Sequence, residues 1–176
     1  GIILLAQSTS TVHTLSNILI ENSQIKAVTS FNNSNSIGNL IVRNCIVISH
    51  PGFSSSPAIE VFTNSGVLIT NSIIRAPANT TSSIAGDGLT IQNNLFYSSG
   101  TFNAFVNLDN SIVQNNIFSR TSPALNIANS TGNTFFNNIV FGSADNTFTV
   151  TGGNSSSGGI VGDPLMTNMP NTQVDW

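Results

Sequence analysis

"LTIQNNLF" occupies Leu89–Phe96, and 22 residues later Ser111–Phe118 reads "SIVQNNIF". A repeat at fixed period outranks any local reading of secondary structure, because it sets the whole architecture. Aligning the chain on the Asn of this "Asn-x-apolar-apolar" word collects Asn22, Asn44, Asn71, Asn93, Asn115 and Asn137 at spacings of 22, 27, 22, 22 and 22. Gly158 continues the series after 21. Seven words thus stand in register along most of the 176 residues.

A short strand-like run precedes each word: "NILIE", "NLIVR", "VLIT", "LTIQ", "SIVQ" and "TFF". Two positions before the corner stand Ile20, Val42, Ile69, Ile91, Val113 and Phe135, all large and apolar; one position before it stand Glu21, Arg43, Thr70, Gln92, Gln114 and Phe136, mostly polar. That period-two alternation is the mark of a half-buried strand, with the first column inside and the second outside. A third apolar run follows at 58–62, 83–85, 104–108, 124–127 and 147–150, and Gly, Pro, Asn and Ser punctuate the intervals without helical periodicity. A unit of about 22 residues with three short strands cannot bury its own apolar face, whereas stacked copies can, each bonded to the next at about 4.8 Å. The expected fold is an all-β parallel solenoid of about seven coils, a rod roughly 34 Å long on that spacing. Asn suits the corner because it tolerates a left-handed backbone, and its stacked amides can bond to one another or to free main-chain groups. Asn22, Asn44, Asn71, Asn93, Asn115 and Asn137 are therefore the expected structural ladder.

This pattern resembles the right-handed parallel β-helix proteins of the pectin-lyase-like superfamily, on the words "IVRNCIV", "IQNNLF" and "IVQNNIF" and on "IVGDPL" at Ile160–Leu165. The resemblance covers residues 15–165 and implies the right-handed β-helix fold, of the secreted or cell-surface type. It implies no particular activity, since one fold hosts lyases, hydrolases, epimerases and adhesins alike.

Composition bounds the partners. Apolar residues make up 39% of the chain and charged ones only 6%, so the polar positions are filled by Asn, Ser, Thr and Gly rather than by ions. Four Lys and Arg in a chain of net charge −3 form no basic patch, which argues against nucleic acid; no polybasic or amphipathic stretch suits membrane insertion. Cys45 is the single cysteine, which rules out an intrachain disulfide and suits a small buried residue. "GIILLA" is too short and lacks the positive flank of a signal peptide or membrane span. Low charge with abundant hydroxyls and amides fits a secreted or cell-surface setting. We expect one solenoid domain over residues 1–176, an excerpt of a longer chain or a subunit stacked end to end, with 162–176 an irregular C-terminal segment; no polar or helical cap is legible at either end.

After each corner Asn, two apolar columns run side by side: Ile46, Ile73, Leu95, Ile117 and Ile139, then Val47, Ile74, Phe96, Phe118 and Val140. Adjacent strand residues face opposite ways, so either the first column is outside as an aliphatic contact stripe or the corner bends enough to bury both. Both readings stand on the sequence.

Ionisable residues are few enough to take singly. Glu21 and Arg43 share the outward column in successive coils and can form a surface ion pair. Asp87 and Asp109 lie 22 apart in equivalent turns, where two carboxylates could share a Ca²⁺ or act as a glycosidase pair, although Asp is frequent in turns for backbone reasons alone. Glu60 stands on the strand where β-helix lyases and hydrolases carry their sites, without a second acid beside it. Lys26, Arg75 and Arg120 lack the acidic cluster a lyase base would need; His13 and His50 are more than a coil apart; Asp163 reads as a turn residue. Tyr97, Phe102, Phe53 and Trp176 offer rings for stacking on sugars or for packing. The expectation is a non-catalytic extracellular solenoid segment: a spacer, adhesin or filament unit, meeting polysaccharide or neighbouring subunits end to end or side by side. The alternative is a carbohydrate-active lyase or hydrolase using a cleft along Glu60 and loops 49–57, 75–83 and 97–103. Ice or surface binding is a third idea, weakened by the lack of a Thr-x-Thr column at coil spacing.

Overall fold

A computed structural model describes residues 14–25, 36–48, 59–61, 66–76, 84–98, 104–119, 130–141 and 152–162. All regular structure among them is β. Each coil turns from a first sheet through an Asn corner into a second sheet. Strands Thr14–Glu21, Ser36–Arg43, Val67–Thr70, Leu89–Gln92, Ile112–Gln114, Thr134–Phe136 and Ser155–Ser157 build the first sheet, stacked in chain order. Gln24–Ile25, Ile46–Ile48, Ile73–Ala76, Leu95–Ser98, Ile117–Ser119, Ile139–Phe141 and Ile160–Val161 build the second. A third sheet holds Ile59–Val61, Ile84–Asp87 and Phe105–Asp109. Every pairing is parallel and joins equivalent positions of successive coils, as in Val113 with Ile91 below and Phe135 above. The fold is a parallel β-solenoid with about 22 residues per turn. Two faces show seven rungs, while coils carrying all three sheets are fewer among the described residues, numbering three. Asn93 and Asn115 lie on successive rungs, with the Asn93 N–H donating to the Gln114 carbonyl at 3.2 Å and the Asn115 N–H to that of Phe136 at 3.2 Å.

The corner works because its residue is left-handed. Asn22, Asn44, Asn71, Asn93, Asn115 and Asn137 have φ between 50° and 56°, and Gly158 has φ 63°, in the region where Asn and Gly pay least. A second left-handed column stands five residues earlier: Asn17, Asn39, Gly66, Gly88, Asn110, Gly132 and Gly153. From Val67 onward the two columns bracket each strand of the first sheet, while Asn17 and Asn39 lie within its two longer first strands, and the paired left-handed residues bend each coil twice within five residues.

Side chains between the corners alternate. Val42, Ile69, Ile91, Val113 and Phe135 point inward and are buried, which is the period-two pattern the sequence carries. Past the corner, Val47, Ile74, Phe96, Phe118 and Val140 are fully buried, whereas Ile46, Ile73, Leu95, Ile117 and Ile139 lie on the outer face, half-buried. No bulge turns both columns inward. The core is widest where four rings meet: Phe96 stacks on Phe118 at 4.7 Å between centroids, and Phe105 meets them edge-on at 5.3 and 5.8 Å and tilts against Phe135 at 6.2 Å. Such pairs add to the burial of the rings themselves.

The third sheet carries one irregularity. Phe105 pairs with Ile84 and Leu108 with Gly86, so Val106 and Asn107 stand opposite the single residue Ala85 and one extra residue is accommodated, with Asn107 at φ 48°. Gly86 is needed here, since a Cβ on it would strike the Val61 carbonyl oxygen of the coil below.

Candidate functional site

The polar side chains with the richest bonding are inside the rod. One residue after each corner Asn comes Ser23, Cys45, Ser72, Asn94, Asn116 and Asn138, and this column is the hydrogen-bonded ladder. Asn94 Nδ2 donates to Asn116 Oδ1 and Asn116 Nδ2 to Asn138 Oδ1, each at 3.1 Å. The same oxygens accept the backbone N–H groups of Asn94 and Asn116, each at 2.9 Å, while the second amide hydrogens go to the carbonyls of Ile69, Ile91 and Val113 at 2.9–3.0 Å. These amides are 0–3% exposed, so each bond replaces water that cannot enter. The expected ladder of Asn22, Asn44, Asn71, Asn93, Asn115 and Asn137 differs from this: those six are exposed and hold the backbone turn, while the stacked carboxamide bonds run through their neighbours. The reason is geometric, because a left-handed corner residue projects to solvent and the next residue projects into the bend.

A second, shorter ladder follows the other left-handed column. Ser111 Oγ accepts the Leu89 N–H at 2.9 Å, Asn133 Oδ1 accepts the Ser111 N–H at 2.9 Å, and Asn154 Oδ1 accepts both the N–H and Nδ2 of Asn133 at 3.0 and 2.9 Å. Neither this ladder nor its corner column was singled out from the sequence, although the signal is there: five residues before every corner Asn stands an Asn or a Gly and nothing else.

The candidate acids are also engaged between coils. Asp87 and Asp109 are backbone partners on the third sheet; Asp87 Oδ1 accepts from Asn110 Nδ2 at 2.8 Å, and Asp109 Oδ1 from the Thr131 N–H at 2.7 Å and its Oγ1 at 3.3 Å. Each carboxylate thus holds the coil above it. Glu60 is the strand partner of Ala85, one rung below the coil that carries Asp87, and its side chain lies outside the described residues. Among the described residues no three His, Cys, Asp or Glu side chains converge to hold a metal ion. Lys26, Arg120, His13, His50, Asp163, Phe53, Phe102 and Trp176, and the loops proposed as cleft walls, lie outside the described residues for most of their length. Tyr97 is buried.

On the surface, Arg43 Nη2 sits 2.6 Å from Glu21 Oε2 with its Nε at 2.7 Å from the same oxygen, and Gln114 Nε2 donates to Gln92 Oε1 at 2.6 Å. Beside them the stripe of Ile46, Ile73, Leu95, Ile117 and Ile139 continues into Ile160, 59% exposed. Among the described residues no helix is long and apolar enough to cross a membrane. Residues 1–159 match the family model of a right-handed β-helix region. No curated relative matches the chain.

Proposed function

The chain belongs to the right-handed β-helix family, and from that premise we propose that it serves as a non-catalytic, rigid solenoid segment: an extracellular spacer, adhesin or filament unit. One observation carries the reading. Polar side chains at equivalent positions are used to join one coil to the next, including the two acids best placed for chemistry: Asp87 to Asn110 and Asp109 to Thr131. Groups engaged in this way contribute stiffness along the rod axis. The half-buried aliphatic stripe on the second sheet supports contact with a neighbouring subunit, and the exposed hydroxyls and amides support contact with polysaccharide.

Two measurements test this. Small-angle scattering and sedimentation should report a monomeric rod at low concentration that associates as concentration rises, and Ile73→Lys with Ile117→Lys should weaken the association without unfolding the rod. Incubation with pectin, alginate and a glycosaminoglycan, followed by unsaturated-product absorbance and by reducing ends, should show no turnover. Turnover that disappears on Glu60→Gln, Asp87→Asn or Asp109→Asn would establish the rival reading, a carbohydrate-active lyase or hydrolase, for which the in-register pairing of Asp87 and Asp109 is the supporting feature.

A further inference from the structure

We infer that the Asn22–Ser23 corner is a site of self-modification, where asparagine converts to aspartate or isoaspartate faster than at the equivalent corners of other coils. Asn-Ser is a favourable sequence for this reaction because the small following residue leaves its nitrogen free to reach the carboxamide. The Ser nitrogen loses its proton to hydroxide and attacks Asn Cγ; the new C–N bond closes a succinimide, and the side-chain nitrogen leaves as ammonia. Water then opens the ring at either carbonyl. Water is the only co-reactant.

The fold treats the Asn-Ser corners differently. Asn22 and Asn71 are equivalent exposed corners with φ of 51° and 50°, so the cost of leaving the left-handed conformation to close the ring is matched; Asn110, exposed at φ 48° on the other left-handed column, is also held through its carboxamide, Nδ2 donating to Asp87 Oδ1 at 2.8 Å. Between positions 22 and 71 what differs is the attacking nitrogen. The Ser72 N–H donates to Asn94 Oδ1 at 3.0 Å and the Ser111 N–H to Asn133 Oδ1 at 2.9 Å. Deprotonating either nitrogen forfeits that bond and sets the anion against a carboxamide oxygen. The residue in the matching place above Ser23 is Cys45, whose thiol donates toward the carbonyls of Ile20 and Arg43 at 3.6 and 3.2 Å, as Ser72 Oγ does to that of Thr70 at 2.9 Å, but whose sulfur is a much weaker acceptor than the hydroxyl oxygen with which Ser72 takes the Cys45 N–H at 3.1 Å. The Ser23 N–H has no acceptor among the described residues. The buried ladder is therefore a guard for exposed corners as well as a staple, and it stops one coil short of Asn22.

Conversion has a structural consequence. It takes the net charge from −3 to −4 (−3 − 1) and puts a carboxylate beside Glu21, which already pairs with Arg43. The isoaspartate product also inserts a main-chain carbon at a corner whose N–H bonds the Arg43 carbonyl at 3.3 Å, loosening that rung from the next.

The test is incubation of the whole protein at mildly alkaline pH, with peptide mass spectrometry following amide loss at positions 22, 71 and 110. Position 22 should convert at least about five-fold faster, the scale of one hydrogen bond, and the three rates should converge in urea. Cys45→Asn places at position 45 the carboxamide that this column carries at 94, 116 and 138, and should slow position 22 to the rate of the others. Cys45→Ser, supplying an Oγ as Ser111 does for Leu89, should act in the same direction and serves if the larger residue perturbs folding. Equal rates at the three positions in the folded protein, a difference that persists in urea, or a position-22 rate unmoved by both folded variants would overturn the inference.

Discussion

Asn115 and Asn116 are adjacent, chemically identical and structurally opposite, so replacing each in turn by Ala isolates what the buried ladder contributes. Asn116→Ala removes an acceptor for the Asn94 N–H at 2.9 Å and for Asn94 Nδ2 at 3.1 Å, and a donor to the Ile91 carbonyl at 2.9 Å. Three polar contacts are then lost around a side chain 0% exposed, with Asn94 Nδ2 keeping only its bond to the Ile69 carbonyl. At about 1–3 kcal/mol for each unsatisfied buried group, with partial relaxation, the loss should be about 3–5 kcal/mol. Asn115→Ala removes an exposed carboxamide that bonds to no described residue and leaves Ala at φ 55°, which costs about 1 kcal/mol of backbone strain; Asn115→Gly should be near neutral. Urea unfolding followed by circular dichroism measures the difference, and exchange of the Asn94 amide, whose acceptor is deleted only in Asn116→Ala, checks that the loss is local. Because stacked coils can unfold in stages, the exchange measurement also covers a transition that is not two-state. Equal destabilisation by the two Ala variants, or a larger loss at position 115, would refute the assignment of the ladder to the inner column.

Three further outcomes follow from the packing. Phe118→Ala, which removes a fully buried ring that stacks on Phe96 and meets Phe105 edge-on, should cost about 3–5 kcal/mol in the same unfolding assay. Gly86→Ala must push against the main-chain oxygen of Val61 and the Leu89 side chain, so it should destabilise by more than about 2 kcal/mol, with the earliest loss of exchange protection in the third sheet. Arg43→Ala removes an ion pair whose side chains are 46% and 37% exposed, so it should cost at most about 1 kcal/mol, and the difference from the parent should shrink as salt is added.

Much of this molecule is legible before folding because a solenoid writes its geometry into a period. The interval of 22 between Asn93 and Asn115 is the length of one turn, and the alternation of Ile91, Gln92 and Asn93 gives inside, outside and corner in that order. The column of Ile46, Ile73, Leu95, Ile117 and Ile139 was not decided in this way, because alternation and a bent corner give opposite answers for it; the backbone resolves them by keeping strict alternation after the left-handed residue. The spacing places the ladder one position away from the bonded amides for a related reason. In "QNNIF" both asparagines recur, and nothing in the letters says which of two neighbouring amides turns inward at a left-handed bend. Asp87 and Asp109 show the same limit in chemistry: their spacing places them on successive rungs, but only the positions of Asn110 and Thr131 above them reveal what their oxygens accept.

The amino-acid order alone therefore established the period, the inward columns and one column of corner asparagines, all of which depend on residues a fixed distance apart in one chain. Which amides bond, which aliphatic column meets solvent and which Ser nitrogen goes unguarded depend on how one coil settles over the next. Those are contacts between residues 22 or 25 apart, and their direction is set by the backbone turn, not by the spacing.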